Sequence, residues 1–427
     1  MTAIVGILNK HAVAIAADSA VTINSRSSHK VLNSANKIFS LSKHKPVGVM
    51  VYASASFMET PWELIIKMYR EKLGRNSFNT LSDYYGDFLC FLRKNKFFSS
   101  DKMQHLFLLR HLDWYYNDVY KISEVECRKA LNMDSVSPDQ VHSHMLHTLE
   151  EHRVRFASFE KCEDWESFTF EDFKQQAQNE LNLISQKYSP HTSSPDQFRN
   201  TFETSVYEYL RSNHIACDKT GIVFVGYGDE EIYPSLIPYN IAFAFDEKIR
   251  GYRETVNEVH ISEENKATIS PFAQTDVMMT ILTGIDNGII DLSVMAVSKT
   301  LNRYNEIILK ALVSGGADET IINSIKAVKL EDLVKLFQRE VDQFIQTEYI
   351  QKLIETVEYL DKEDLANMAE SLISLTGLKR RMTSSEESVG GPVDVAVISK
   401  GDGFIWMKRK HYFDKELNSQ FFNRYNE

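Results

Sequence analysis

The chain has few cysteines and no long apolar run, and both absences limit where the protein can reside. Its four cysteines, Cys90, Cys127, Cys162 and Cys217, are far apart and form no Cys-x-x-Cys pair. This pattern favours a reducing compartment. No run approaches the length of about 18 apolar residues that a transmembrane helix needs. The apolar N-terminal stretch is interrupted at residues 9–11 and has no basic flank, unlike a signal peptide. We predict a cytoplasmic protein.

The chain also lacks an excess of positive charge. It has 48 Lys and Arg residues against 59 Asp and Glu residues, which gives a net charge of −11. Because binding to phosphate groups requires clustered positive charge, neither a nucleic-acid partner nor an anionic membrane surface is expected. The 427 residues, of which 43% are hydrophobic and 25% are charged, indicate a globular protein. Its length fits two or three domains, or one domain with large insertions.

The N-terminal segment is the most informative part of the sequence. Residues 2–8 and 12–17 are apolar and are separated by three polar residues, which predicts two buried strands joined by a tight turn. The second strand ends at Asp18. Thr2 directly follows Met1, and a small residue at this position permits enzymatic removal of Met1. Thr2 would then carry both a hydroxyl nucleophile and an α-amine, whose ordinary pKa of about 7.7–8.0 suits a general base.

Lys37 follows at the start of a further predicted strand. Thr2, Asp18 and Lys37 in this context resemble the catalytic residues of proteasome β subunits and their bacterial relatives, the N-terminal-nucleophile hydrolases. The resemblance implies an α+β fold, a four-layer αββα sandwich, enlarged here by helical insertions. It also implies amide-bond hydrolysis by a threonine peptidase, in which Thr2 is the nucleophile, Lys37 favours its deprotonation and Asp18 orients Lys37. No cofactor and no metal are implied.

The same resemblance implies a protein or peptide substrate, a homo-oligomer, and an unfoldase or adaptor as a further partner. Two alternative functions remain open: a non-catalytic assembly subunit on the same fold, and a small-molecule amidase that uses the same nucleophile. The intact set of Thr2, Asp18 and Lys37 argues against the assembly subunit. Nothing in the sequence separates a peptidase from an amidase.

Other residues receive supporting roles from the resemblance. The oxyanion donor would be a backbone N–H at Ala53 or Ser54, after the predicted strand 47–53, where the family carries glycines and this chain carries small residues. The family has an aspartate and a serine before a Gly-Gly turn. In this chain Ser388 or Glu386 is expected to take their supporting role.

Three further polar segments need an interpretation. Gln274 or Thr275 precedes a predicted helix and could supply a supporting amide or hydroxyl, with an ordinary helix cap as the alternative. Residues 400–403 predict a hairpin turn rather than a phosphate-binding loop, because the spacing of a Walker motif is missing. A group of histidines lacks an accompanying metal-binding carboxylate motif and is interpreted as a packed or solvated helix face: His142, His144, His147 and His152.

The periodicity changes several times along the chain. Strands and a first helix are followed by helical, aromatic-rich sequence, a return to strands, a second helical stretch and a closing hairpin. The predicted parts are the first portion of the sandwich (1–74), an inserted helical subdomain (75–213), the second sheet portion (214–271), an extended helical layer (272–385), and the closing hairpin with the C-terminal tail (386–427).

Within the first part, residues 20–33 are rich in Ser and Asn and predict a loop. Thr60 is expected to cap the first helix, with a proline at its first position, and Gly74 is expected to end it. The apolar face of this helix would cover a sheet, while Ile66 and Met68 would extend toward a neighbouring subunit. This is the basis in the sequence for expecting a homo-oligomer.

Overall fold

The computed structural model describes residues 2–25, 28–95, 98–192, 194–382, 390–411, 413–414, 416–418 and 420. Within these ranges the protein is a mixed α+β structure with antiparallel sheets, which confirms the coarse fold class. Met1, Glu386 and Ser388 lie outside the described residues, and the roles expected of them stay predictions.

The strands are mostly short, and their pairing is antiparallel wherever a register is defined. In chain order they are β1 (Ala3–Asn9), β2 (Val13–Ala17), β3 (Val21–Ser25), β4 (Ser28–Leu32), β5 (Ile38–Ser40), β6 (Val47–Ala53), β7 (Ser56–Phe57), β8 (Thr60–Pro61), β9 (Thr220–Gly226), β10 (Ser235–Phe245), β11 (Lys248–Arg253), β12 (Val259–His260), β13 (Ala267–Ala273), β14 (Asp394–Ser399) and β15 (Gly403–Lys408).

The helices occupy the two long stretches that the sequence predicts to be helical. They are α1 (Trp62–Leu73), α2 (Leu81–Lys94), α3 (Asp101–Leu131), α4 (Pro138–Ala157), α5 (Phe170–Gln176), α6 (Gln178–Tyr188), α7 (Pro195–Arg211), α8 (Asp276–Thr283), α9 (Asn287–Ser314), α10 (Glu319–Lys326), α11 (Leu330–Ile345), α12 (Gln351–Tyr359) and α13 (Lys362–Met382). Among the described residues, no single helix has both the length and the apolarity to cross a membrane. The helices α8 and α9 meet that test only as a pair, bent by 71°.

The chain forms two compact units, and each unit combines separate stretches of sequence. The first unit comprises Met1–Ala35, Ile261–Val397 and Trp406–Glu427. The second unit comprises Asn36–His260 and Ile398–Ile405.

The first unit is built on a sheet with the strand order β13-β1-β2-β14-β15. Every residue of β1 and β2 is buried, as expected of strands that are covered on both faces. Small side chains in β2 lie in the same core cluster as small side chains in α13, which lets this helix approach the sheet closely. The small residues are Ala14, Ala16, Ala366 and Ala369.

The turn between β1 and β2 is stabilised by Asn9, whose side chain is fully buried. Its Oδ1 accepts hydrogen bonds from the N–H groups of His11 (2.9 Å) and Ala12 (3.1 Å). Its Nδ2 donates to the carbonyls of Val357 and Leu360, both at 2.9 Å. One side chain thus closes the hairpin and ties it to the end of α12, which explains why a polar residue can be buried here.

The second unit contains a sheet with the order β11-β10-β9-β6-β5. Aromatic side chains of α2 cover β9: the rings of Tyr85 and Phe88 lie 5.6 and 5.3 Å from that of Phe224. Gly221 in β9 has no side chain because the ring of Tyr52 occupies that space; a Cβ would come within 1.9 Å of it. The order of strands and helices thus follows the sequence expectation for this region.

Helices α3 to α7 fill most of the predicted insertion and lie within the second unit. Arg250 of β11 is fully buried and links the sheet to the end of α7. Its guanidinium donates to the carbonyls of Leu210 (2.7 Å), Tyr209 (3.0 Å) and His214 (3.0 Å). A cation at this position satisfies carbonyls that a helix leaves unpaired at its C-terminus.

Three local predictions for the first part of the chain are wrong. Residues predicted as a loop form the β3–β4 hairpin, because the consecutive β-branched residues Val21, Thr22 and Ile23 outweigh the Ser and Asn content. Helix α1 begins at Trp62 rather than after a Thr60 cap, since Thr60 pairs with Phe57 in a short ribbon. Ile66 is buried and Met68 packs against the core, so these side chains do not extend toward a neighbouring subunit. The end of α1 at Gly74 (φ 55°) is confirmed.

Candidate active site

Thr2 lies immediately before β1 and is 5% exposed. Its carbonyl accepts a hydrogen bond from the N–H of Gln274 at 3.2 Å, where the chain leaves β13. The strand that begins at Ala3 is held between β2 and β13, with Ala3 opposite Ala273 and Ile4 opposite Ala17. The backbone that follows Thr2 is therefore fixed by sheet pairing.

Asp18 directly follows β2 and lies beside Ala3, the residue that follows Thr2. The Ala3 N–H donates to its Oδ1 at 2.9 Å, and the Asp18 N–H donates to the Ala3 carbonyl at 3.2 Å. Its Oδ2 accepts from the N–H groups of Ala20 (3.1 Å) and Gly390 (3.2 Å). The carboxylate is 1% exposed. Because three backbone donors satisfy it, this buried charge is held in one orientation.

The Gly390-Gly391 turn, which the sequence resemblance singled out, lies against Asp18. The Gly390 N–H donates to the Asp18 carboxylate, and the Gly390 carbonyl accepts a hydrogen bond from the Ser19 N–H at 3.1 Å. Gly391 has a φ of +75°, and a Cβ there would come within 2.8 Å of the Cβ of Asn33. Both observations explain why glycine is required at position 391.

A cavity of about 430 Å³ opens beside Asp18 within the first unit. Asn33, Ser374 and Arg381 line it together with the two glycines of the turn. Sequence reasoning did not identify these three side chains. For Arg381 a signal was present: it belongs to a basic run at the end of a predicted helix, shortly before the Gly-Gly turn.

Gln274 and Thr275 occupy the junction between β13 and α8, as predicted. Gln274 is 9% exposed, and its backbone rather than its side chain makes the hydrogen bond to Thr2. Thr275 is the N-cap residue of α8, but its side chain makes no capping hydrogen bond. Thr275 therefore does not cap α8 through its side chain, and the expectation that its hydroxyl supports the site stays a prediction.

Lys37, Ala53 and Ser54 belong to the second unit. Lys37 is 5% exposed, and its carbonyl accepts from the Val51 N–H at 2.8 Å, which fixes the start of β5 beside β6. Ala53 ends β6 with a φ of +68°, a left-handed conformation that alanine rarely adopts. The resemblance expected glycine at this point, and the backbone has the conformation that favours glycine.

The structure therefore brings Thr2, Asp18 and Gln274 together within the first unit, and places Lys37, Ala53 and Ser54 within the second unit. Ser388 and Glu386 lie outside the described residues.

The histidine segment in α4 contains a packed side chain and side chains that lie beside glutamates. His142 is buried, with Nε2 2.9 Å from the Tyr116 hydroxyl and Nδ1 2.7 Å from the Pro138 carbonyl. His144 and His147 lie 3.5 and 3.2 Å from glutamate oxygens. Across the part of the chain that the structure describes, no group of three or more His, Cys, Asp or Glu residues is arranged to hold a metal ion.

A Cys–His pair in the second unit was not identified from the sequence. The Cys217 Sγ lies 3.0 Å from Nδ1 of His111, which resembles the spacing of a catalytic dyad. However, burial raises the pKa of the Cys217 thiol to about 11, and burial together with the Arg250 charge lowers the pKa of His111. Both groups are therefore neutral at pH 7, and the pair does not form a reactive thiolate.

No protein-family model matches this chain, and no curated protein matches it.

Proposed function

We propose that this protein is an N-terminal-nucleophile hydrolase that cleaves amide bonds, with Thr2 as the nucleophile after removal of Met1. One observation carries the proposal: the buried carboxylate of Asp18 is hydrogen-bonded to the N–H of Ala3, the residue that follows Thr2. This hydrogen bond holds the carboxylate beside the backbone that follows Thr2, which supports a site at this position. Peptide bonds are the proposed substrate class.

In the proposed reaction, Thr2 Oγ attacks the carbonyl carbon of the substrate amide while the Thr2 α-amine takes the hydroxyl proton. Backbone N–H groups near Ala53 and Ser54 stabilise the oxyanion. The C–N bond then breaks and the amine product leaves with that proton. Water hydrolyses the ester on Thr2 Oγ, which releases the acid product and restores the free hydroxyl.

Lys37 supplies a fixed positive charge in this mechanism, which favours deprotonation of the Thr2 hydroxyl. Its low exposure of 5% supports such a role. Burial of an ammonium group is costly unless carboxylate or carbonyl oxygens match its charge, so a buried lysine is retained only where its charge is used or paired.

The proposal includes the four-layer αββα sandwich. Its support is the burial of both faces of the strands: in β1, Val5 and Ile7 lie in a core cluster with helices, while the alternate residues Ile4 and Leu8 are also fully buried. In β9 and β10 every residue is likewise buried. A sheet with helices on one face and another sheet on its second face accounts for this pattern.

A mass measurement tests the proposal. The purified full chain is treated with a β-lactone or an epoxyketone, and its intact mass is measured before and after treatment. We expect loss of Met1 and one adduct, which peptide mapping assigns to Thr2. Thr2→Ala should give no adduct and reduce peptide hydrolysis by about 10³-fold or more. The control is Thr280→Ala, which removes the hydroxyl of a half-buried threonine of α8 and should change neither result.

Each of the remaining outcomes is informative. Hydrolysis by a protein that retains Met1 quantitatively, or by Thr2→Ala at the wild-type rate, would show that Thr2 is not the nucleophile. Cleavage of small amides without cleavage of peptides would identify the amidase. A protein that has lost Met1, and neither reacts with the probes nor hydrolyses either substrate, would be the assembly subunit.

A further inference from the structure

Helix α9 is 28 residues long, yet none of its residues is buried. A helix of a globular protein normally buries an apolar stripe. In α9 several large apolar side chains are instead more than half exposed: Ile289 (54%), Leu292 (63%), Tyr304 (60%) and Ile307 (53%). Exposed apolar surface of this extent indicates an interaction site.

These four side chains form one stripe along the helix, whereas Val313, which is 63% exposed, lies about 120° around the helix from its centre. At about 100° per residue, Ile289, Leu292, Tyr304 and Ile307 fall within a sector of about 120°. Ala296 and Thr300 lie between them on the same face and are exposed. The half-buried apolar residues of α9 lie between about 80° and 200° around the helix from the centre of this stripe: Ile290, Val294, Val297, Leu301, Ile308, Leu309 and Leu312. The stripe is therefore centred on a different side of the helix from these half-buried residues.

The order of side chains in this stripe, which we call the α9 stripe, is the same in both directions. Two large residues are followed by two small ones and then by two large ones, and the intervals are three, four, four, four and three residues: Ile289, Leu292, Ala296, Thr300, Tyr304 and Ile307. Two antiparallel copies crossing midway between Ala296 and Thr300 would place Ile289 of one copy against Ile307 of the other. The small residues at the crossing point allow the helices to approach closely.

We propose that the α9 stripe is the surface through which two copies of this chain associate, as an antiparallel helix pair with twofold symmetry. A surface that is complementary to itself under a twofold rotation is what an isologous dimer requires, whereas a different partner would have no need of this symmetry. In the same register, Lys310 of one copy faces Asp286 of the other, and no charged residue of α9 faces a like charge. The proposal is independent of the hydrolase function.

The stripe spans 18 residues between its end positions, which corresponds to about 27 Å of helix. An interface of this length buries a small surface area, which is typical of weak association. We therefore expect a dissociation constant in the micromolar range. Sedimentation velocity of the full chain between about 0.5 and 50 μM should show a rise from the chain mass of 49.2 kDa toward twice that mass.

Charged substitutions provide the first test. The double variant Leu292→Glu with Ile307→Glu should remain monomeric at 50 μM. The matched control is Val256→Glu, which places the same charge on a valine that is 92% exposed outside α9 and should dimerise as the wild type does. All substituted positions are exposed, and circular dichroism verifies that the helices are retained.

Disulfide trapping tests the register. The double variant Ile289→Cys with Ile307→Cys should give a covalent dimer under mild oxidation, because the two positions meet across the twofold axis. The single variant Ile289→Cys should not, since its own counterpart would be about 27 Å away. A wild-type protein that stays monomeric at 50 μM, or a double glutamate variant that still dimerises, would overturn the proposal. Binding to anionic vesicles that requires Leu292, without dimerisation, would assign the stripe to a membrane surface instead.

Discussion

Replacement of Asp18 by Asn is the perturbation that most directly probes the candidate site. The Asp18 carboxylate accepts three backbone hydrogen bonds: Oδ1 from Ala3, and Oδ2 from Ala20 and Gly390. Asn has almost the same shape, but one of its two polar atoms is a donor. In either orientation of the amide, at least one backbone N–H therefore faces another donor instead of an acceptor.

The expected loss of stability follows from this count. The less costly orientation keeps the amide oxygen toward Ala20 and Gly390, and leaves the Ala3 N–H without an acceptor, which costs about 1–3 kcal/mol at a buried site. The two remaining hydrogen bonds lose their charge assistance, worth about 1 kcal/mol each. We therefore expect Asp18→Asn to lower the free energy of unfolding by about 3–5 kcal/mol, a large part of the 5–15 kcal/mol that is typical of a folded protein.

Urea denaturation followed by circular dichroism measures this loss, and probe labelling of Thr2 measures its effect on the site. The matched control is Asp318→Asn, at an exposed helix cap where the side chain accepts from the Thr320 N–H at 2.7 Å. Asn caps a helix as well as Asp does, so the control should unfold at the wild-type urea concentration. If Asp18→Asn also unfolds there, the three hydrogen bonds do not hold the carboxylate as described.

Two further predictions concern the second unit. Because Ala53 has a φ of +68°, Ala53→Gly should remove backbone strain of about 1–2 kcal/mol from the folded state. Glycine also raises the conformational entropy of the unfolded chain, which lowers the free energy of unfolding by about 0.4–1 kcal/mol. Urea denaturation should therefore show a free energy of unfolding that is higher than that of the wild type by about 1 kcal/mol or less. Ala53→Val should be less stable than the wild type; a clearly destabilised Ala53→Gly would contradict this reasoning. Burial and the Arg250 charge lower the pKa of His111, so below about pH 6.5 the unfolded chain binds a proton that the folded protein excludes. The contribution of His111 to stability is therefore complete above about pH 6.5 and decreases as the pH falls, by up to about 1.4 kcal/mol per pH unit. The difference between the urea midpoints at pH 7.5 and 5.0 should be smaller in His111→Gln than in the wild type, and an unchanged difference would exclude His111 as a contributing group.

The parts of the structure that the sequence predicts well depend on local interactions. The first hairpin is an example: the apolar runs and the polar turn predicted β1, β2 and the position of Asp18, because these residues pair with one another over short separations. The end of α1 at Gly74 and the hairpin turn at residues 400–403 were predicted for the same reason. In each case the residues that carry the sequence pattern lie within a few positions of the structural element that they predict.

The features that the sequence did not predict depend on distant contacts. Arg381 and Asn33 line the same cavity although they are far apart in the chain, and no periodicity relates them. The burial of Ile66 and the exposure of Leu292 also depend on which helices cover each face, and the hydrophobic pattern of one helix does not give that information. The β3–β4 hairpin was missed for a different reason: its Ser and Asn content indicates a loop, whereas its β-branched residues favour a strand.

The distance in sequence between the groups that hold Asp18 has a consequence for the candidate site. The Gly390 N–H donates to a carboxylate 372 positions earlier, and Ser19 Oγ donates to the Pro392 carbonyl at 2.5 Å across a similar separation. The first unit is therefore completed only when both ends of the chain are present, with the second unit formed mostly by the sequence between them. Because closing so long a loop costs entropy before any contact forms, we expect these hydrogen bonds to form late in folding. If Thr2 is the nucleophile, the carboxylate beside it is thus fixed in place only in the complete fold.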